Sequence, residues 1–126
     1  MGPIVPKTIV VISKPDLDHI MYDHVWVTDE TAAESNKNIF DKNWLRTWDI
    51  DLRAAIGKIA DFVLEAGERG ETGGAAEENT FDYYFNFNTQ TGWNADGSRF
   101  KGVIIRGQQT ALTFSVRTMF PKGYIK

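Results

Sequence analysis

The residues predict an α+β domain of two layers, one long amphipathic helix packed on a mainly antiparallel sheet. Three observations carry this prediction. Apolar residues across 41–66 recur at the period of a helix. Three later segments alternate apolar and polar residues at the period of a strand. A β-branched run over 7–12 precedes the helix. The sheet should therefore hold an N-terminal strand plus a C-terminal three-stranded meander. Its 126 residues fit a single domain, 1–126.

Along the chain, residues 7–12, KTIVVI, read first as a strand. Thr8, Val10 and Ile12 alternate with Ile9 and Val11, so both faces are largely apolar, the pattern of a strand covered on both sides. Pro15 ends this strand. A short extended piece is expected at 24–27. Thr28, followed by Asp29 and Glu30, supplies a capping hydroxyl and acids for the positive end of a helix. A short polar helix over 32–38 follows.

For 41–66, Trp44 is set at zero and each residue advances about 100°. Trp44, Trp48, Leu52, Ala55, Ile56, Ile59, Ala60, Phe62 and Val63 then fall within one arc of roughly 160°. Asp41 suits the N-cap and Gly67 the first position past the end. One continuous helix of about 25 residues, about 37 Å long, is expected, with Trp44, Ile59 and Val63 toward the sheet.

Residues 67–79 should form a flexible Gly/Glu-rich loop. Residues 65–79 carry five glutamates and four glycines, and no apolar residue larger than alanine. Ordering a residue costs about 1–2 kcal/mol, so only contacts from another chain would hold such a loop. The meander then comprises 80–88, 99–107 and 111–120. Phe81, Tyr83, Phe85 and Phe87 share one face of its first strand. In the last, Leu112, Phe114, Val116 and Phe120 alternate with Thr113, Ser115, Arg117 and Met119. The connections TQTGWNADGS and GQQT hold turn residues.

Composition excludes several functions. There is no cysteine, so no disulfide, zinc–thiolate site or thiol nucleophile is available. The 14 basic residues are scattered among 17 acidic ones, which argues against direct sequence-specific nucleic-acid binding. The first residues do not read as a signal peptide, and no apolar run reaches bilayer length. A soluble chain, cytoplasmic or virion-associated and without membrane contact, is expected.

The stretch DLDHIMYDH, 16–24, holds both histidines. His19 and His24 are five apart, which points them in different directions on a helix or a strand, so no shared metal is expected. NADGS, 94–98, lacks the flanking ligands of a calcium loop and reads as a turn. No P-loop, G-x-G-x-x-G or G-x-S-x-G is present. Asp49 falls inside the apolar arc, four residues before Arg53, and is expected to pair with it. Trp44 and Trp48 read as core. No catalytic residue, cofactor or metal is expected. The alternative is a small-ligand binder or a small hydratase- or isomerase-like enzyme with a cone-shaped pocket, using a desolvated Asp49 and Tyr83.

Two features point instead to contact with other chains. Ile50, Gly57 and Leu64 recur every seven residues behind the main arc, with Ala54 beside them, as in a helix–helix seam. Trp93 stands in a polar turn, a place for an anchor. Ile50, Ala54, Gly57, Leu64 and Trp93 are thus the expected subunit interface. The resulting expectation is a non-catalytic structural subunit of an oligomeric assembly, partnered by copies of itself and by other structural proteins. A long helix, a meander and projecting loops resemble the ring-forming connector, neck or tail-terminator subunits of tailed bacteriophages, a likeness of architecture and not of motif.

Overall fold

The computed structural model describes residues 8–71 and 78–123. In chain order its elements are β1 (Ile9–Val11), α1 (Lys14–His24), α2 (Asp29–Ser35), β2 (Asn38–Phe40), α3 (Lys42–Arg46) and α4 (Leu52–Ala66). After these come β3 (Glu68–Glu71), β4 (Thr80–Asn86), β5 (Gly92–Asn94), β6 (Arg99–Phe100), β7 (Gly102–Gln109) and β8 (Thr113–Lys122). Five strands make the main sheet in the order β1-β8-β7-β4-β3, antiparallel except for β1 beside β8. A second sheet has the order β2-β5-β6. The class is α+β as predicted, and β4, β7 and β8 form the expected meander.

The core lies between the helices and one face of the main sheet. α4 buries Ala55, Ile56, Ile59, Ala60 and Val63 and packs on β4, β7 and β1. Val103, Ile105, Phe114, Val116 and Met119 meet it from the sheet, all fully buried. Burying a Val, Ile or Phe side chain contributes roughly 1.5–3 kcal/mol, so this face dominates the stability of the fold.

The continuous helix over 41–66 is not observed. α3 ends at Arg46 and α4 starts at Leu52. The cause is local. Asp49 accepts a hydrogen bond from the Asp51 amide at 2.8 Å, and Asp51 accepts one from the Arg53 amide at 3.0 Å. Two aspartates two residues apart thus capture backbone donors that a continuing helix would need, and the second becomes a new N-cap. Asp41 caps α3 as expected, accepting from Asn43 and Trp44. The amide of Gly67 closes α4 onto the Val63 carbonyl.

Other boundaries differ too. The extended piece expected at 24–27 is not observed: His24 ends α1 and 25–27 turn toward α2. α1 is capped by Ser13, with Pro15 in its first turn where a missing N–H costs nothing. Thr28 does cap a helix, but α2 covers Asp29–Ser35 and ends on Asn36 in the left-handed region. Residues 68–71 of the expected loop form β3 against β4; residues 72–77 lie outside the described residues. Trp93 is in β5, paired with Ile39 of β2, not in a simple turn.

β8 carries one extra residue. Arg106 pairs with Thr118 and Gly107 with Val116, leaving Arg117 as a bulge. Such an insertion reverses which side chains face the core. Met119 therefore takes the core position expected for Phe120, and Phe120 lies instead against the His24 ring, centroids 5.5 Å apart.

The bulge also divides the outer edge of β8. β1 pairs only with Thr113, Phe114 and Ser115. Beyond them α1 and β2 take over. Asp16 approaches Arg117 at 3.5 Å, and Asn38 Nδ2 donates to the Pro121 carbonyl at 3.0 Å.

Candidate functional site

The histidine stretch lies on α1 and serves structure. His19 pairs with Asp23 at 3.0 Å, one helical turn away. His24 is buried, and its Nδ1–H donates to the Asn38 carbonyl at 2.7 Å, tying α1 to β2. Burial pushes the His24 imidazole below its ordinary pKa, against the opposing pull of the Asn38 bond and Asp23. The two rings are 6.2 Å apart and edge to face. Among the described residues, no three His, Asp or Glu side chains converge as metal ligands would.

Asp49 is not the desolvated acid of a pocket. It pairs with Lys58 at 2.9 Å, not with Arg53, and this bond holds its carboxyl below the usual range. That is opposite to the shift a proton-transferring carboxyl needs. Arg53 pairs with Asp18 of α1 at 2.7 Å and stacks over Trp26 at 5.0 Å, joining α1 to the start of α4. The break at 47–51 causes this exchange, since Asp49 no longer stands one turn before Arg53 on a helix. Tyr83 packs edge to face on Phe114 at 5.2 Å. It lines a groove of about 260 Å³ with Thr8, Val10, Asp61, Leu64 and Glu65, where Asp49 has no part.

The five expected interface residues do not form one surface. Ile50 sits in the connection between α3 and α4, 88% exposed, and so belongs to no helix seam. Ala54 and Gly57 are half-buried on α4, and a Cβ on Gly57 would meet nothing within 4 Å. Among the described residues, no backbone from outside α4 comes within 4 Å of that Cβ. Leu64 packs against the core and lines the groove beside β1. Trp93 lines a separate open groove of about 360 Å³, floored by Val25, Ile39 and Phe40 and rimmed by Lys42 and Arg46. The two grooves share no residue.

Apart from Ile50, the exposed large apolar side chains lie elsewhere. Tyr22 of α1 and Trp26, two residues past its end, meet edge to face, ring centroids 5.5 Å apart. Ile9 and Val11 of β1 are 60% and 42% exposed, and Leu112 beside them is 54% exposed. The Ile9 amide donates to the Leu112 carbonyl at 2.9 Å. The largely apolar faces of KTIVVI predict a covered strand, whereas β1 is an exposed edge. Its three-residue pairing with β8 and its place at the end of the sheet were not readable from that pattern. The absence of charge between Thr8 and Ile12 argues for a covered strand, so the pattern itself points away from an open edge.

Comparisons with protein-family models, with curated proteins and with solved structures returned no match.

Proposed function

We propose that this chain is a non-catalytic structural subunit of an assembly containing copies of itself. The observation that supports this reading most is the grouped exposure of Ile9, Val11 and Leu112 at one edge of the main sheet. Scattered exposed apolar residues need no explanation, but a group beside an open strand edge marks a surface for association. The polar side chains singled out from the sequence add to it. Asp49, Arg53 and His24 are each engaged in contacts that join elements of the fold, and His19 pairs with Asp23 within α1. The narrower bacteriophage connector reading rests on architecture alone, and the assembly reading does not depend on it. No helix among the described residues is long and apolar enough to cross a membrane.

Light scattering coupled to size exclusion tests the proposal. A mass above the 14.3 kDa of one chain is expected across a range of concentrations. A compact monomer throughout the series would count against assembly and return attention to the grooves.

A further inference from the structure

We infer that β1 pairs edge to edge with β1 of a second copy, antiparallel, about a two-fold axis through Val10, merging two main sheets into one. The inference rests on the assembly reading above and gives it an address. Its starting point is the open side of β1. In the main sheet β1 has one neighbour, β8. The Ile9 amide is spent inward on Leu112. Backbone groups alternate along a strand, so Val10 directs its N–H and C=O the other way, to the open edge.

Natural sheets protect such edges with charges, prolines, bulges or a covering element. Elsewhere in the main sheet these devices are present: α1 and β2 cover β8 beyond Ser115, and the opposite edge strand, β3, has the charged sequence ERGE. Among the described residues β1 has none of these devices. Residues 8–12, TIVVI, contain no charge and no proline. Ile9 and Val11 project into solvent beside the open hydrogen-bonding groups.

The segment is complementary to itself, which selects a second copy as the occupant. A two-fold axis at Val10 makes the two Val10 residues a hydrogen-bonded pair that exchanges both N–H···O=C bonds. It also places Thr8 opposite Ile12 of the second copy, in both senses. Ile9 then faces Val11 of the second copy twice, on the surface away from the helices. These are β-branched cross-strand pairs with Cβ atoms about 4.5–5.5 Å apart. Because residues 8–12 are uncharged, no like charges are opposed, which removes the usual penalty on self-pairing. On the helix side, Ile12 of the second copy comes beside Thr8, at the groove lined by Val10, Leu64 and Tyr83. Closed two-fold pairing is the commonest way in which identical chains associate.

The test uses two double variants of the full chain. Ile9→Lys with Val11→Lys sets lysine against lysine twice. Ile9→Glu with Val11→Lys sets glutamate against lysine twice, though each chain carries the same number of new charges. Both positions are exposed, so circular dichroism and melting temperature should match those of the parent. The parent is expected to contain a species of twice 14.3 kDa. The lysine–lysine variant should lose it, and the glutamate–lysine variant should regain it with a dissociation constant that rises with salt. If the parent is oligomeric and the lysine–lysine variant keeps its full mass, the β1 pairing is wrong while the assembly reading stands. If both variants are reduced to monomers alike, the edge matters but the antiparallel two-fold register is refuted. A parent that is monomeric at every concentration overturns both.

Discussion

Trp48 and Phe62 meet edge to face, ring centroids 5.6 Å apart and planes at 60°. They are 14 residues apart, a separation of about 21 Å on a continuous helix. The contact exists because the chain turns between α3 and α4 and brings Trp48 back onto the side of α4. Phe87 stands against both rings, at 5.8 Å from Trp48 and 5.5 Å from Phe62. The break in the helix and the aromatic cluster are therefore one feature. Trp48→Ala should remove about 2–3 kcal/mol from a site that is only part-buried. Urea unfolding measures it, and a loss below about 0.5 kcal/mol would mean that the cluster is incidental.

Asp51 gives a sharper test of the same turn, because the sign of the effect differs between the two structures. In the interior of a continuous helix, Asp51→Ala would stabilise, since alanine is the better helix former by up to about 0.7 kcal/mol. As the N-cap of α4, bonded to the Arg53 amide at 3.0 Å, Asp51 is needed. Asp51→Ala should therefore destabilise by about 1 kcal/mol. A rise in melting temperature would contradict the cap.

Much of the fold was legible because it rests on hydrophobic period. The arc that includes Ile56, Ile59, Ala60 and Val63 found the buried face of α4, and alternation found β4, β7 and β8. Period is blind to a short interruption, however. Trp44 and Trp48 satisfy a helical arc and, part-buried, also pack against the core of the broken structure, so the apolar pattern survives the break unchanged. The pair Asp49–Asp51 was the only mark of it, and aspartates on a long helix also read as ordinary surface charge. Phe120 was misplaced for a similar reason, since a one-residue bulge leaves no trace in an alternating strand. The candidate surface was less legible still. Whether Ile9 and Val11 face a second layer or open solvent depends on strand order, a long-range property that no local pattern contains.

Two glycines should respond in opposite directions to the same substitution. Gly57 lies in the middle of α4 and a Cβ there meets nothing within 4 Å. Gly57→Ala should stabilise the isolated chain by about 0.5–1 kcal/mol through helix propensity. At Gly107 a Cβ would stand 2.3 Å from the Ser115 carbonyl oxygen and 2.8 Å from the Phe114 ring. The bulge draws β8 close there, and the bare Gly107 gives Phe114 the room it needs. Gly107→Ala should cost about 1–3 kcal/mol by overpacking. Thermal melts of the two variants check both signs. If Gly57→Ala stabilises the fold but abolishes association, another chain packs on α4 at that point; if association is unchanged, Gly57 has no part in it.

The last prediction concerns acid and the His24 junction. His24 is buried among α1, β2 and β8, with its Nδ1–H on Asn38 and its ring on Phe120. The charged groups around it are Asp23, Lys37 and His19. Burial is the largest effect and holds its pKa below the ordinary value of 6.5, so the native state favours the neutral ring. The unfolded chain then binds a proton more readily than the native one in the window just below pH 6.5. By linkage, stability must fall as pH is lowered through that window, and it levels off below the native pKa. The carboxyls of Asp18, Asp49 and Asp96 are shifted downward by their hydrogen bonds, so their contributions are lost only in stronger acid. Urea unfolding at about pH 7 and about pH 5, compared between the parent and His24→Asn, which both keep His19, therefore isolates the His24 imidazole. The parent should be less stable at the lower pH. His24→Asn, which keeps an N–H donor near the Nδ1 position but does not titrate, should show a smaller difference. Equal pH slopes in the two proteins would mean that His24 carries no burial penalty.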